Sequence, residues 1–150
     1  RVKRFFSQES MRAIEAVIRE IENTHQGEIV FAVEASLDLP DLMRNTSPRQ
    51  RALQVFSNLR VWDTEHNNGV LLYLLLADKD IEIVADRGVT GLAAPETWQQ
   101  ICRQIEACFK DNRFEEGVIS GVRLIGKQLA EHYPGQKEHR DELPDRPVVL

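Results

Sequence analysis

Only two cysteines occur in the 150 residues, too few for a disulfide framework. Cys102 and Cys108 lie six residues apart on one predicted helix, so they point in different directions and cannot bridge. No Cys-x-x-Cys is present, which removes the common redox and zinc motifs. Two unpaired thiols suit a reducing compartment, and the chain is expected to be cytoplasmic. A run of about 20 apolar residues, the length a membrane helix needs, is also missing. The longest apolar run, Val70 to Ala77, is far shorter. No Gly-x-Gly-x-x-Gly follows a strand. The only Gly-Lys pair, Gly126-Lys127, lies inside a predicted helix and is followed by Gln, so there is no phosphate loop. His-Glu-x-x-His and Gly-x-Ser-x-Gly are absent, and no Ser or Cys sits in a recognisable nucleophile context. Positive charge is scarce: the net charge is −5. A nucleic-acid partner is therefore not expected, because phosphate binding needs a basic face.

The one basic stretch is Arg1 to Phe6, made of basic and apolar residues only. It reads first as a solvated end anchored by two rings, and second as a segment suited to an anionic membrane surface. The chain starts with Arg1 rather than Met, as a fragment or a processed product would.

What is present is globular composition, 42% hydrophobic and 29% charged, in the size range of one domain. Ser7 is a plausible N-cap for a helix whose Met11, Ile14, Val17, Ile18 and Ile21 share a stripe, closed by Gly27. Glu28 to Glu34 is rich in β-branched and aromatic residues and reads as a strand. Asp38 to Thr46 reads as loop. Ser47-Pro48 opens a second helix, with Ala52, Leu53, Phe56 and Leu59 inward. Gly69 to Ala77 is a strand buried on both faces, and Ile81 to Ala85 is its hairpin partner across Asp78-Lys79. Two more helices follow. One is opened by Pro95. The other runs from Phe114 to His132, with Gly117 and Gly121 one turn apart for close packing. The expected fold class is α/β: a parallel βαβ unit plus an antiparallel hairpin strand, forming a small mixed sheet sandwiched by helices on both faces. Residues 1–133 form the domain. Residues 134–150 are expected to be a polar, loose tail whose apolar end, Val148-Val149-Leu150, could dock.

This topology brings distant polar groups to one rim of the sheet. The loop from Trp62 to Asn68 enters the central strand there, the hairpin ends there at Asp86-Arg87, and the first strand begins there at Glu28, near His25. Clustered carboxylate and amide oxygens repel unless a cation offsets them, and hard oxygen ligands suit Ca²⁺ or Mg²⁺. Asp63, Glu65, Asn67 and Asp86 are the candidate metal ligands. Asn68 and Arg87 are the candidate ligand-binding residues. Asp63, Glu65 and Asn67 alternate as the first ligands of a calcium loop do, but the glycine falls one place late for an EF-hand and no closing Glu follows. The bland alternatives are an Asn-Gly turn at Asn68-Gly69, a capping role for Asp86 or its pairing with Arg87, a solvent-facing strand position for Glu28, and exposed loop positions for His25 and His66. Trp62 and Trp98 read as packing residues. Glu34 and Asp38, toward the opposite rim, read as surface.

The stretches Val61-Trp-Asp-Thr-Glu-His-Asn-Asn-Gly-Val-Leu-Leu72 and Glu82-Ile-Val-Ala-Asp-Arg-Gly88 resemble the TPM domain family, which includes thylakoid-lumen acid phosphatase-like and photosystem II repair proteins. The resemblance covers about Ser7 to Tyr133. It implies helices sandwiching a small sheet, a metal-capable edge site, and weak phosphatase activity in some members. Asn68 and Gly69 match the family's Asn-Gly before the central strand, Asp63 its acidic loop, and Gly88 the glycine after the hairpin. Asp86 departs from the glycine many relatives carry. Many relatives also have a signal peptide and a membrane helix, which this sequence does not show. Three functions follow as expectations. The first is a divalent-cation-binding interaction or regulatory domain in protein quality control or membrane-complex maintenance, with an unidentified protein partner. The second is a metal-assisted acid phosphatase in which Asp63, Asn68 and Asp86 hold the ion and Arg87 steadies the phosphate. The third is a metal-free scaffold that uses the tail ending Pro147-Val148-Val149-Leu150.

Overall fold

The computed structural model describes residues 1–135 and 143–150. Helix α1 (Val2–Phe5) leads into α2 (Gln8–Glu22), where Ser7 caps the first turn by accepting from the Ser10 amide at 3.0 Å. Strand β1 (Glu28–Glu34) follows, then α3 (Leu39–Met43) and α4 (Pro48–Asn58). Ser47 and Gln50 close a reciprocal capping box at the start of α4, satisfying two otherwise orphaned amides. Strands β2 (Gly69–Leu75) and β3 (Asp80–Ala85) flank a short 3-10 turn, in which Lys79 takes the left-handed conformation. Helices α5 (Arg87–Thr90), α6 (Pro95–Lys110) and α7 (Phe114–His132) precede β4 (Val148–Val149).

The sheet order is β3-β2-β1-β4. β1 runs parallel to both β2 and β4, and β2 is antiparallel to β3. Every residue of β2 is buried, because its two faces feed two cores. Val70, Leu72 and Leu74 join Ile29, Phe31 and Val33 of β1 in the larger core, with Ile14 and Ile18 of α2 and Val118 and Val122 of α7. Leu71, Tyr73 and Leu75 face Ala52 and Val55 of α4 in the smaller one. The period-two alternation of a pleated strand thus divides one apolar run between two helical layers. α6 and α7 pack closely: a Cβ on Gly117 would stand 3.0 Å from that of Cys108. The N-terminal end is anchored by its rings, Phe5 against Phe114 at 4.9 Å and Phe6 against Phe31 at 5.8 Å. Among the described residues, no helix is long and apolar enough to cross a membrane.

Four local expectations change. The Asp38 to Thr46 stretch contains α3, capped by Asp38 accepting from the Asp41 amide; a single short turn carries no periodicity to read. Leu53 is 48% exposed while Val55 is buried, because the inward row of α4 runs 52–55–56–59. α2 ends at Glu22, not at Gly27. Gly27 is instead buried, with a notional Cβ 3.0 Å from the Asn68 carbonyl and from Leu129. Finally, the end of the tail is a strand. Val148 and Val149 register with Ala32 and Val33, and the Leu150 amide donates to the Val33 carbonyl. The segment 136–142 lies outside the described residues.

Candidate functional site

Backbone bonds bring the start of β1, the start of β2 and the end of β3 to one rim. The Glu28 amide donates to the Asn68 carbonyl at 3.2 Å, the Asp86 amide to the Gly69 carbonyl at 2.9 Å, and the Gly88 amide to the Asn67 carbonyl at 2.8 Å. The approach is so close that two glycines are obligatory. A Cβ on Gly69 would run into the Val61 carbonyl, and one on Gly88 into the carbonyls of His66 and Asn67. Asn67 itself turns the loop with φ of 51°, a conformation Asn tolerates better than most residues. The Tyr133 hydroxyl, from the end of α7, donates to the Gly88 carbonyl at 2.6 Å and ties a fourth element to the rim.

Among the described residues, the buried polar and charged ones are Glu22, His25, Glu28, Asp41, Thr64 and Asn68, and all but Asp41 stand at this rim. Glu22 Oε2 accepts from the Ile29 amide at 2.9 Å, fixing the entry of β1 against the end of α2. His25 Nδ1 accepts from the Gly27 amide, and Glu28 Oε1 from the Leu143 amide. Thr64 Oγ1 accepts from the Asn68 amide at 3.0 Å, while Asn68 Nδ2 donates to the Gln26 carbonyl at 3.2 Å. Two oxygens of this assembly, Asn68 Oδ1 and Asp86 Oδ2, are buried and take no hydrogen bond. Such a group costs about 1–3 kcal/mol of lost hydration unless something compensates it.

The predicted site residues therefore divide. Asn68 and Asp86 bring buried oxygens to the rim. Asp86 also caps α5, its Oδ1 accepting from the Arg87 amide at 2.8 Å. Asp63 and Glu65 lie on the exposed part of the loop, with 54% and 62% of their side chains accessible. Asp63 is held by Arg60 Nη2 at 3.0 Å. His66 is exposed beside Glu65, whereas His25 is fully buried, contrary to the loop reading. Arg87 is exposed. Among the described residues, no three His, Cys, Asp or Glu side chains gather as a metal-holding group. Any ion at this rim must draw on Asn68, backbone carbonyls or water beside its carboxylates. Glu22, Thr64 and Tyr133 are rim residues the sequence reading missed. Glu22 carried a signal: it continues the Ile14–Ile18 row at the next i+4 position, a charge on a buried stripe.

Two other polar clusters lie away from the rim. A cavity of about 510 Å³ opens along β3 between α4 and α6. There Glu82 is pushed up to about 7, chiefly by burial and then by its hydrogen bond with Asp80, while Arg49, 3.6 Å away, opposes the shift. Burial pushes the Cys102 thiol in the same wall up to about 12, so it is protonated at neutral pH and no nucleophile. At the far end of β1, Glu34 is not free surface: Arg51 grips it through two nitrogens at 2.9 and 3.1 Å, and the Tyr73 hydroxyl donates to it at 2.7 Å.

The sequence model of the TPM domain matches residues 2–128. No curated protein matches the chain. Among solved structures, the chain is similar to the BA42 protein from the psychrophilic bacterium Bizionia argentinensis. That likeness has a TM-score of 0.86 and 29% identity, covering 100% of this chain and 99% of that one. The N-terminal domain of a protein from P. gingivalis shares the fold at a TM-score of 0.70 and 19% identity, covering 91% of this chain and 83% of that one.

Proposed function

Because the chain belongs to the TPM domain family, we propose that it is a divalent-cation-binding interaction or regulatory domain, with Ca²⁺ or Mg²⁺ held where β1 and β2 begin. The observation that carries this reading is the pair of buried, unbonded oxygens, Asn68 Oδ1 and Asp86 Oδ2. Hard cations take such oxygens and repay their lost hydration. Two inner donors are few for Ca²⁺, which takes six to eight oxygens. Water and the exposed carboxylates of Asp63 and Glu65 supply the remainder. This division suits a signalling role, because the ion draws a solvent-facing loop against a rim fixed by backbone bonds.

Calorimetric titration of metal-stripped protein with Ca²⁺ and with Mg²⁺ tests the reading. Binding heat for at least one ion is expected, with affinity falling by about tenfold or more in Asp86→Asn. Absence of heat for both ions sinks the proposal. The same variant assayed on a generic phosphate ester decides whether the rim also hydrolyses phosphate: activity that survives Asp86→Asn and Asp63→Asn together belongs to a contaminant. The scaffold alternative has less support, since the backbone of Val148-Val149 is already paired with β1.

A further inference from the structure

The opposite rim, where β1 and β2 end, is built the other way. α3 is inverted: Asp41 is its buried residue, and its Oδ1 accepts from the Thr46 hydroxyl at 3.3 Å. Leu39, Leu42 and Met43 share the i, i+3, i+4 face and are 67%, 57% and 76% exposed. A short helix of a water-soluble domain ordinarily turns its apolar side inward, and clustered exposed apolar side chains mark a surface that something covers.

At the same rim, Ala35 and Ala77 line a cavity of about 470 Å³ whose charged lining is Arg1, Arg4 and Lys79, with no carboxylate. None of these three cations forms an ion pair among the described residues, although most of the chain's other arginines on folded elements do so. Arg44, at the C-cap of α3, is exposed as well. The acidic residues of this rim are Glu34, gripped by Arg51, Asp38, spent on capping α3, Asp41, buried within α3, Asp80, on the wall of the β3 cavity, and Asp78, exposed beside Lys79. In a chain of net charge −5, a rim that carries both unpaired cations and exposed Leu and Met needs an anionic partner that also accepts apolar side chains. A soluble anion meets only the first need.

We propose that this rim docks on an anionic lipid bilayer, with Leu39, Leu42 and Met43 entering the interface and the cavity of Arg4 and Lys79 receiving a lipid phosphate. Cations near a charged bilayer and apolar side chains at the headgroup boundary act together, and neither alone holds a protein firmly. Lys79 follows the 3-10 turn between β2 and β3 with φ of 49°. The docked rim leaves the cation-binding rim facing water, and the proposal stands whether or not that rim binds an ion.

Co-sedimentation of the full chain with phosphatidylcholine vesicles, with and without phosphatidylglycerol, tests this. Binding to the anionic vesicles only is expected, weakening as salt is raised. Arg4→Gln with Lys79→Asn, the latter chosen because Asn tolerates a left-handed turn, should lower the partition coefficient about 30-fold at low salt. Leu42→Ser with Met43→Ser should lower it at least about tenfold. Thermal melts of both variants should match the parent, since all four side chains are exposed. Binding that ignores lipid charge, or survives both double variants, overturns the proposal. So does a response of the Arg4 and Lys79 signals to inorganic phosphate with no vesicle binding, which identifies a free-anion site.

Discussion

At one rim of this sheet the polar groups are inside, and at the other the apolar groups are outside. Where β1 and β2 begin, Glu22, His25, Glu28, Thr64 and Asn68 are buried and locked to backbone amides and carbonyls. Where the strands end, Leu39, Leu42 and Met43 stand in solvent at a rim that also carries unpaired Arg1, Arg4 and Lys79. The first arrangement is rigid, because each buried polar group is costly unless its partner stays in place. The second carries little folding energy, because exposed side chains contribute nearly the same whether the chain is folded or not. One end is thus built to hold a geometry, and the other is free to change its sequence without endangering the fold.

Substitutions break or sharpen that contrast. The largest effect is expected at Gly69→Ala, whose Cβ meets the Val61 carbonyl. Forcing backbone apart should cost about 3 kcal/mol, read as a shift in the urea midpoint. At Gly91 nothing lies within 4 Å of a new Cβ, and the Gly91→Ala control should stay within about 0.5 kcal/mol of the parent. Next comes Glu22→Ala, which strands the Ile29 amide and should cost about 2 kcal/mol in the same assay. A cost as small as that of an exposed residue would remove the claim that this rim is held by its buried polar groups.

The smallest effect concerns β3, which runs between the rims. Glu82 keeps its proton up to about pH 7 in the folded chain, against an ordinary value of 4.5. The folded state therefore binds more protons than the unfolded state between those values, and stability should fall as pH rises through that window. Arg49 and solvent moderate the loss to about 1 kcal/mol. Glu82→Gln should flatten the slope and leave the variant more stable than the parent at pH 8. A parent whose stability is level from pH 5 to 8 contradicts the assignment.

Much of this architecture was legible in the sequence, and the reasons are local. β1 and β2 announce themselves as short apolar runs, and the right-handed crossover then leaves one arrangement of their ends. The meeting of the Trp62 to Asn68 loop with Asp86 followed from chain direction alone. What stayed hidden depends on tertiary context. Whether His25 or Glu28 points into the protein depends on Pro134 and Leu143, more than a hundred residues away. Two valines after a polar stretch give no sign that β1 will pair with them. α3 misled because a helix of one turn with apolar residues outward violates the pattern by which helices are found.

The pairing of β4 with β1 also fixes an order of events. β1 is made before the other three strands of the sheet, yet its outer edge is closed by the last of them. Throughout synthesis, that edge of hydrogen-bonding groups faces whatever the growing chain encounters, and an open edge recruits other strands. A chain lacking Val148 and Val149 would keep most of both cores and leave one flank of the sheet unsealed, which makes this two-residue strand the safeguard against mispairing.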